Sequence, residues 1–275
     1  MPGEFTYCAP IDSTELMKML EKYGSEGRIL AGGTDLLVDA RAGRIKPKVL
    51  IDIKKVSSLA TVSFTEKDGL SIGAAVTCSD IIQDQNVRQK YSLLSECASQ
   101  IGSPQLRNRA TIAGNICTAS PCADMAPALL CLGASVDIVS SAGTRTVKLS
   151  DFFTGVKQTA LKAGEYLGRI IVPAASANLS GAFEKLKRIK GHDISLASVA
   201  AVKTDNAIRI AVGSCAVTPL LIPEFPLNSQ SSEIWKTVQQ TIKPISDIRA
   251  SAEYRMVMVK AFVDRVIARL NREAK

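Results

Sequence analysis

The segment Thr111-Ile112-Ala113-Gly114-Asn115-Ile116-Cys117-Thr118-Ala119-Ser120-Pro121-Cys122-Ala123-Asp124 narrows the folds open to this chain further than any other. It gathers a glycine, an amide, hydroxyls and a carboxylate, and the apolar run Met125–Leu132 follows at once. Gly114 lets main chain approach a ligand closely. Asn115, Thr118 and Ser120 suit phosphate or ring edges, and Asp124 suits the hydroxyls of a ribose. The apolar run predicts a helix whose N-terminus faces the loop, a natural anion site. A second reading stays open. Ser120-Pro121 is a good N-cap and first-turn pair and Gly133 a good stop, so the segment is equally a well-capped helix after a polar loop.

An earlier stretch, Arg28-Ile29-Leu30-Ala31-Gly32-Gly33-Thr34-Asp35-Leu36, runs from a short apolar strand into two glycines. Successive N–H groups around a Gly-Gly turn form an anion-binding nest; an ordinary tight turn is the alternative. The spacing matches neither the dinucleotide fingerprint nor the P-loop. Asp35 would repel a phosphate, so it is expected to fix the turn through local backbone hydrogen bonds.

Periodicity organises the rest. Asp12-Ser13-Thr14-Glu15 resembles a capping box ahead of a helix carrying Leu16, Met19, Leu20 and Tyr23, ended by Gly24. Strands are expected at 28–30, 49–53 and 70–74, and helices at 79–91 and 92–101, the latter stopped by Gly102. A hairpin joins 135–139 to 145–149, and 168–172 adds a strand closed by Pro173. The small polar stretch 174–178 reads as a domain boundary, dividing the chain into 1–174 and 175–275. Three strands (181–190, 194–204, 208–216) and then helices, the last over 248–270, complete an α+β outline.

Charge and composition exclude several classes. Lys and Arg outnumber Asp and Glu by 34 to 26, but the basic residues are spread out and aromatics are only 5%, so no nucleic-acid stacking platform is visible. The densest basic run, residues 185–190, reads as a half-exposed strand with a solvated face. No apolar run is long enough to span a bilayer, and Met1-Pro2-Gly3-Glu4-Phe5 lacks a secretory signal's n- and h-regions. Seven cysteines without a small secreted frame suggest free thiols and a cytoplasmic setting. An iron–sulfur cluster on Cys117, Cys122 and Cys131 is the less favoured alternative to buried cysteines acting as small hydrophobes, and Cys8, Cys78, Cys97 and Cys215 show no metal spacing. His192, the only histidine, is expected in a turn bonded to Asp193 rather than in catalysis.

Taken together, the two glycine loops resemble the FAD-binding subunit or domain of the molybdenum hydroxylases, the family of xanthine, carbon monoxide and nicotinate dehydrogenases and 4-hydroxybenzoyl-CoA reductase. In that family one loop reads like Ala31-Gly32-Gly33-Thr34-Asp35. The other has the order of Thr111 to Asp124, with Ala113 standing here for the family's first glycine. Residues 183–188 and 192–196 resemble the family's C-terminal part. The resemblance implies an α+β fold: a two-part, PCMH-type FAD-binding domain, then a smaller domain with a three-stranded antiparallel sheet and helices. It places Arg28 and Ile29 near the adenine end and wraps Leu30, Ala31, Gly32, Gly33, Thr34, Asp35 and Leu36 around the pyrophosphate. Thr111, Gly114, Asn115, Thr118 and Ala123 line the FAD, Asp124 meets the ribose, Ile116 and Cys117 fall where relatives cover the flavin ring, and Lys185 lies near the isoalloxazine. It implies no catalytic residue and no metal on this chain. Electrons would pass from 2Fe-2S clusters on a small partner to FAD and on to NAD or another acceptor, beside a molybdopterin-binding large subunit, in a dimer of heterotrimers. Ala113 is the one sequence hint of the alternative, a scaffold or assembly protein that keeps the fold without FAD.

Overall fold

A computed structural model describes residues 4–189 and 191–273. Its first unit is a parallel three-stranded sheet in which Val49–Asp52 lies between Thr6–Cys8 and Gly27–Leu30. The four residues of the central strand are all buried, as a parallel strand covered on both faces requires. Helix Ser13–Tyr23 crosses between the two outer strands, with Leu16 and Leu20 inward and Gly24 ending it at φ 48°. Asp12 caps it by accepting from the Glu15 N–H at 2.8 Å. Glu15 answers one residue earlier than a capping box would, at the Ile11 N–H, 2.9 Å away.

The second unit is an antiparallel sheet in the order Val62–Thr65, Gly69–Gly73, Tyr166–Val172, Ser135–Ser140, Gly143–Lys148. Short helices pack beside it. The helix expected over 79–91 is two, Cys78–Gln83 and Gln85–Lys90. Asp84 separates them: its backbone is extended (ψ 130°), and its carboxylate accepts from the Val87 N–H at 2.9 Å to start the second. A polar cap inside an apolar periodicity has overridden the period.

The C-terminal part is an antiparallel meander of Ser180–Leu186, Ala197–Lys203 and Ala207–Gly213, with short strands Leu220–Leu221 and Phe225–Pro226 against the last. The strands are shorter than the sequence suggests. Residue 190, the expected end of the first, lies outside the described residues. The meander is covered on both faces, so Ala197–Lys203 reads as an almost continuous apolar run. Ala200, Val202, Phe183 and Ala211 join the core of the N-terminal units. Val199, Ala201, Ile210 and Val212 pack with helices Ser231–Thr241 and Ala252–Glu273. Arg269 on the last helix grips Glu96 at 2.6 and 3.0 Å, tying that helix to Ser92–Ser99.

That last helix starts at Ala252, not at the expected 248, because Asp247 folds the preceding residues into a turn. Its carboxylate accepts from the N–H groups of Arg249 and Ala250 and from the guanidinium groups of Arg249 and Arg255. Burial pushes the Asp247 carboxyl up, but these donors hold it well below the usual carboxylate range. A depressed pKa stabilises the fold above the ordinary carboxylate value, near 4, and the stabilisation fades as pH falls below it. Thermal unfolding from pH 7 to 3 is therefore expected to show Asp247→Asn less stable than the native chain at neutrality, with the gap narrowing below about pH 4. A gap that stays constant would contradict this role.

Candidate functional site

Strand Gly27–Leu30 delivers the first loop, Ala31–Asp35, which opens helix Leu36–Arg41. Gly33 sits at φ 74°, where other residues are strained. Gly32 is required for a different reason. A Cβ there would lie 2.1 Å from the Arg109 carbonyl oxygen, so the loop presses its backbone onto residues 109–110. Those residues run straight into the second motif.

Lys54 holds the loop from behind. Its ammonium donates to the Ala31 carbonyl at 3.1 Å and to both Asp52 oxygens at 2.7 Å. The Tyr7 hydroxyl also donates to Asp52, at 2.6 Å. Burial raises the Asp52 pKa, but the bonds from Lys54 and Tyr7 outweigh it and keep the group charged. None of Tyr7, Asp52 and Lys54 stands out in the sequence. Arg28 is exposed and donates to the carbonyls of Ser25 and Gly27. Ile29 is half-buried and Leu30 buried.

In the second motif, Thr111 caps helix Ile112–Cys117, accepting from the Gly114 N–H at 3.0 Å. Ala113 lies inside this helix, buried in the core, and is not among the residues at positive φ. The methyl group that departs from the family glycine therefore meets no backbone strain. Thr118 ends the helix with its hydroxyl 2.9 Å from the Gly114 carbonyl and 3.4 Å from Asp35 Oδ2. This contact joins the two motifs across the sequence. Asp35 makes no side-chain capping bond in its own turn, contrary to expectation; its carboxylate reaches the other loop instead.

Ser120-Pro121 does not cap the apolar helix. That helix spans Met125–Cys131, and Asn115 Oδ1 accepts the Met125 N–H at 3.2 Å. The amide oxygen expected to face a ligand is thus turned inward, and the helix's first N–H is already occupied. Ser120 accepts from the Cys122 N–H at 3.2 Å. Gly133 does stop the helix, at φ 68°. Ile116 and Ala123 are buried in the core, and Cys117 is half-buried. Burial pushes the Cys117 thiol up to about 12, so it stays protonated.

Asp124 and Lys185, 61 residues apart, form an ion pair of 2.7 Å. The Lys185 side chain is 1% exposed and that of Asp124 13%. Lys185 also donates to the Gln100 carbonyl at 3.1 Å. The basic run 185–190 is therefore no uniformly solvated face: its first lysine is internal, while Arg188 is exposed. Burial raises the Asp124 pKa, and the Lys185 charge opposes the rise. Asp124 Oδ1 is buried with no hydrogen-bond partner among the described residues. A buried carboxylate oxygen left unpaired is costly, and a ligand hydroxyl would supply a donor for it. The residues present therefore fit a polyhydroxylated cofactor.

His192 is exposed, and among the described residues no hydrogen bond joins its side chain to Asp193, contrary to expectation. Asp193 is taken by Arg188, through its N–H at 2.7 Å and its guanidinium at 2.9 Å. No group of His, Cys, Asp and Glu among the described residues has metal-ligand geometry, and no described helix is long and apolar enough to cross a membrane.

Comparison with known proteins agrees with this arrangement along the whole chain. Residues 3–175 match the FAD binding domain in molybdopterin dehydrogenase, and residues 181–270 match the CO dehydrogenase flavoprotein C-terminal domain. The chain is 35% identical to the nicotinate dehydrogenase FAD-subunit of Eubacterium barkeri, over 84% of this chain and 78% of that one. It is 32% identical to the xanthine dehydrogenase FAD-binding subunit of Escherichia coli O157:H7, over 88% of each. It is 30% identical to the carbon monoxide dehydrogenase medium chain of Afipia carboxidovorans, over 100% of this chain and 99% of that one. A chain of the Hydrogenophaga pseudoflava carbon monoxide dehydrogenase structure superposes with a TM-score of 0.90 at 31% identity, over 98% of both. The chain belongs to the FAD-binding subunits of the molybdenum hydroxylase family, and it is an oxidoreductase subunit.

Proposed function

We propose that this chain carries the FAD of a molybdopterin-dependent hydroxylase or dehydrogenase and relays its electrons to NAD or another acceptor. One observation carries the reading: two glycine loops distant in sequence meet at Asp35 and Thr118, while Asp124 presents an unpaired buried oxygen nearby in the same motif. Bound FAD supplies the redox chemistry. The chain supplies the rest. Ala31 to Asp35, with Gly114 and Thr118, hold the pyrophosphate region; Asp124 accepts from a cofactor hydroxyl; Lys185 pairs with Asp124 and brings positive charge toward the flavin ring. Arg28 and Ile29 lie toward the adenine, and Cys117 toward the ring. The domain boundary is read at 174/175, at the start of the small polar stretch 174–178.

The 2Fe-2S donor and the molybdopterin centre belong to small and large partner chains in a cytoplasmic complex. Relatives named as a medium chain and as an FAD-subunit support this division. The alternative of an FAD-less scaffold loses its motive, since Ala113 fits its helix without strain.

Co-purification from the native host tests the reading. The expected result is a complex with an iron–sulfur chain and a larger molybdenum chain, with substrate oxidation only when all three are present. The isolated chain should take up electrons from an artificial reductant once loaded with FAD. Hydroxylation of a purine, pyridine or aldehyde by this chain alone would refute the assignment.

A further inference from the structure

Among the described residues, four other than glycine adopt a left-handed backbone: Ala119 at φ 45°, Lys157 at 57°, Asn178 at 61° and Ser214 at 65°. Three of them meet at one loop. The Lys157 N–H donates to the Ala119 carbonyl at 2.9 Å, and the Ser214 N–H donates to the Pro121 carbonyl at 2.7 Å. Such backbone costs free energy wherever no glycine relieves it, and it persists only where the surroundings impose it. Asn178, the fourth, bonds elsewhere, to Lys90.

The two donors come from separate parts of the fold. Lys157 lies in the turn between the short strands Phe153–Gly155 and Gln158–Thr159. Ser214 follows the strand Ala207–Gly213 of the C-terminal sheet. Neither side chain accounts for the strain. Ser214 is buried, yet its hydroxyl has no hydrogen-bond partner among the described residues. The Lys157 ammonium reaches only a partly exposed Asp39, at 3.8 Å. In both residues the left-handed backbone accompanies an N–H bond to this loop. The neighbouring Gly213 leaves no room for a side chain, for a Cβ there would lie 2.5 Å from Ser198 Oγ and 3.1 Å from Pro127.

We infer that Lys157 and Ser214 are positioning residues for the cofactor loop. Their backbone N–H groups pin the carbonyls on either side of Ser120, and so fix Thr118 to Asp124 in binding geometry before any FAD arrives. This deepens the flavin reading above and rests on it. Preorganisation of this kind raises affinity by removing the ordering cost from the binding step. Both residues lie outside the glycine motifs, and both are ordinary in sequence.

The test uses the full apo chain and FAD titration, with far-UV circular dichroism as a check of folding. Lys157→Pro removes the N–H and forbids the positive φ; Lys157→Gly keeps the donor and adopts the φ freely. Lys157→Pro is expected to raise the FAD Kd at least tenfold with the fold intact, and Lys157→Gly to stay within threefold of native. Ser214→Pro and Ser214→Gly should repeat the contrast. Ser214 is buried and its proline variant can fail to fold, so amide hydrogen exchange of the native chain gives a second arm. The Lys157 and Ser214 amides should already exchange slowly without FAD, and FAD should change their rates less than threefold. Lys157→Pro binding FAD within threefold of native, Lys157→Gly weakening it as much as Lys157→Pro, or both amides exchanging at free-peptide rates until FAD is added would each overturn the inference. A native chain that takes up no FAD would instead sink the flavin reading, and the exchange arm would still report on the clamp.

Discussion

Asp124→Ala is expected to weaken FAD binding by tenfold to a hundredfold and to destabilise the chain as well. The first effect comes from the acceptor. A charge-assisted hydrogen bond to a cofactor hydroxyl is worth about 1.5–3 kcal/mol, and each 1.4 kcal/mol is a factor of ten. The second comes from Lys185, whose side chain is 1% exposed and whose ammonium would lose its 2.7 Å partner. Leaving one member of a buried pair uncompensated costs roughly 3–5 kcal/mol. The two effects separate in a double variant. Asp124→Ala with Lys185→Met should recover much of the stability, because no unpaired charge remains, yet still bind FAD poorly. His192→Ala is the control and should leave both quantities unchanged, since His192 is exposed and Asp193 takes its bonds from Arg188. Urea unfolding and FAD titration of the four proteins decide the matter. Equal FAD affinity for Asp124→Ala and His192→Ala would contradict the assigned role.

Gly32→Ala should be the most damaging single methyl in the first loop. Its Cβ would stand 2.1 Å from the Arg109 oxygen and 2.9 Å from the Ala110 Cα, and both neighbours are backbone. Something must shift, and overpacking of this kind costs about 1–3 kcal/mol, at the upper end where the neighbours are backbone. The displaced loop should also lose the Asp35–Thr118 contact and with it FAD affinity. Gly43→Ala is the contrast. It has φ 71° but open space around it, so only backbone strain of about 1–2 kcal/mol is expected, with FAD affinity retained. Similar Kd values for the two variants would show that the loop's close approach to residues 109–110 does not shape the site.

Local rules made the elements legible where they acted alone. The helix at 13–23 was visible because Asp12, the apolar spacing and Gly24 agree, and the C-terminal meander because its apolar runs are separated by turn residues. The rule failed at Asp84, where one carboxylate splits an apolar periodicity, and at Asp247, where a turn fixed by four donors delays the last helix. Both are capping events decided by tertiary partners. Strand Thr6–Cys8 is not legible in the sequence, because three residues, two of them exposed, carry no period of their own.

The site was legible in its membership more than in its wiring. Asp124 and Lys185 were each expected near the cofactor, but nothing in the sequence couples residues 61 apart into one ion pair. Thr111 and Asn115 appear as ligand groups in a linear reading, whereas the fold uses both to cap helices. Lys54, Lys157 and Ser214 carry no motif at all. What they contribute is a direction, of an ammonium or of a backbone N–H, which only the folded chain defines.

The most direct measurement is the flavin content of the pure chain after reconstitution with excess FAD and removal of the unbound cofactor. Denaturation followed by chromatography and absorbance should release about one FAD per chain, with none left on the peptide, as expected of a cofactor held by one pair of loops and buried polar contacts. A chain that retains no flavin, or one whose flavin stays covalently attached after denaturation, would contradict the account.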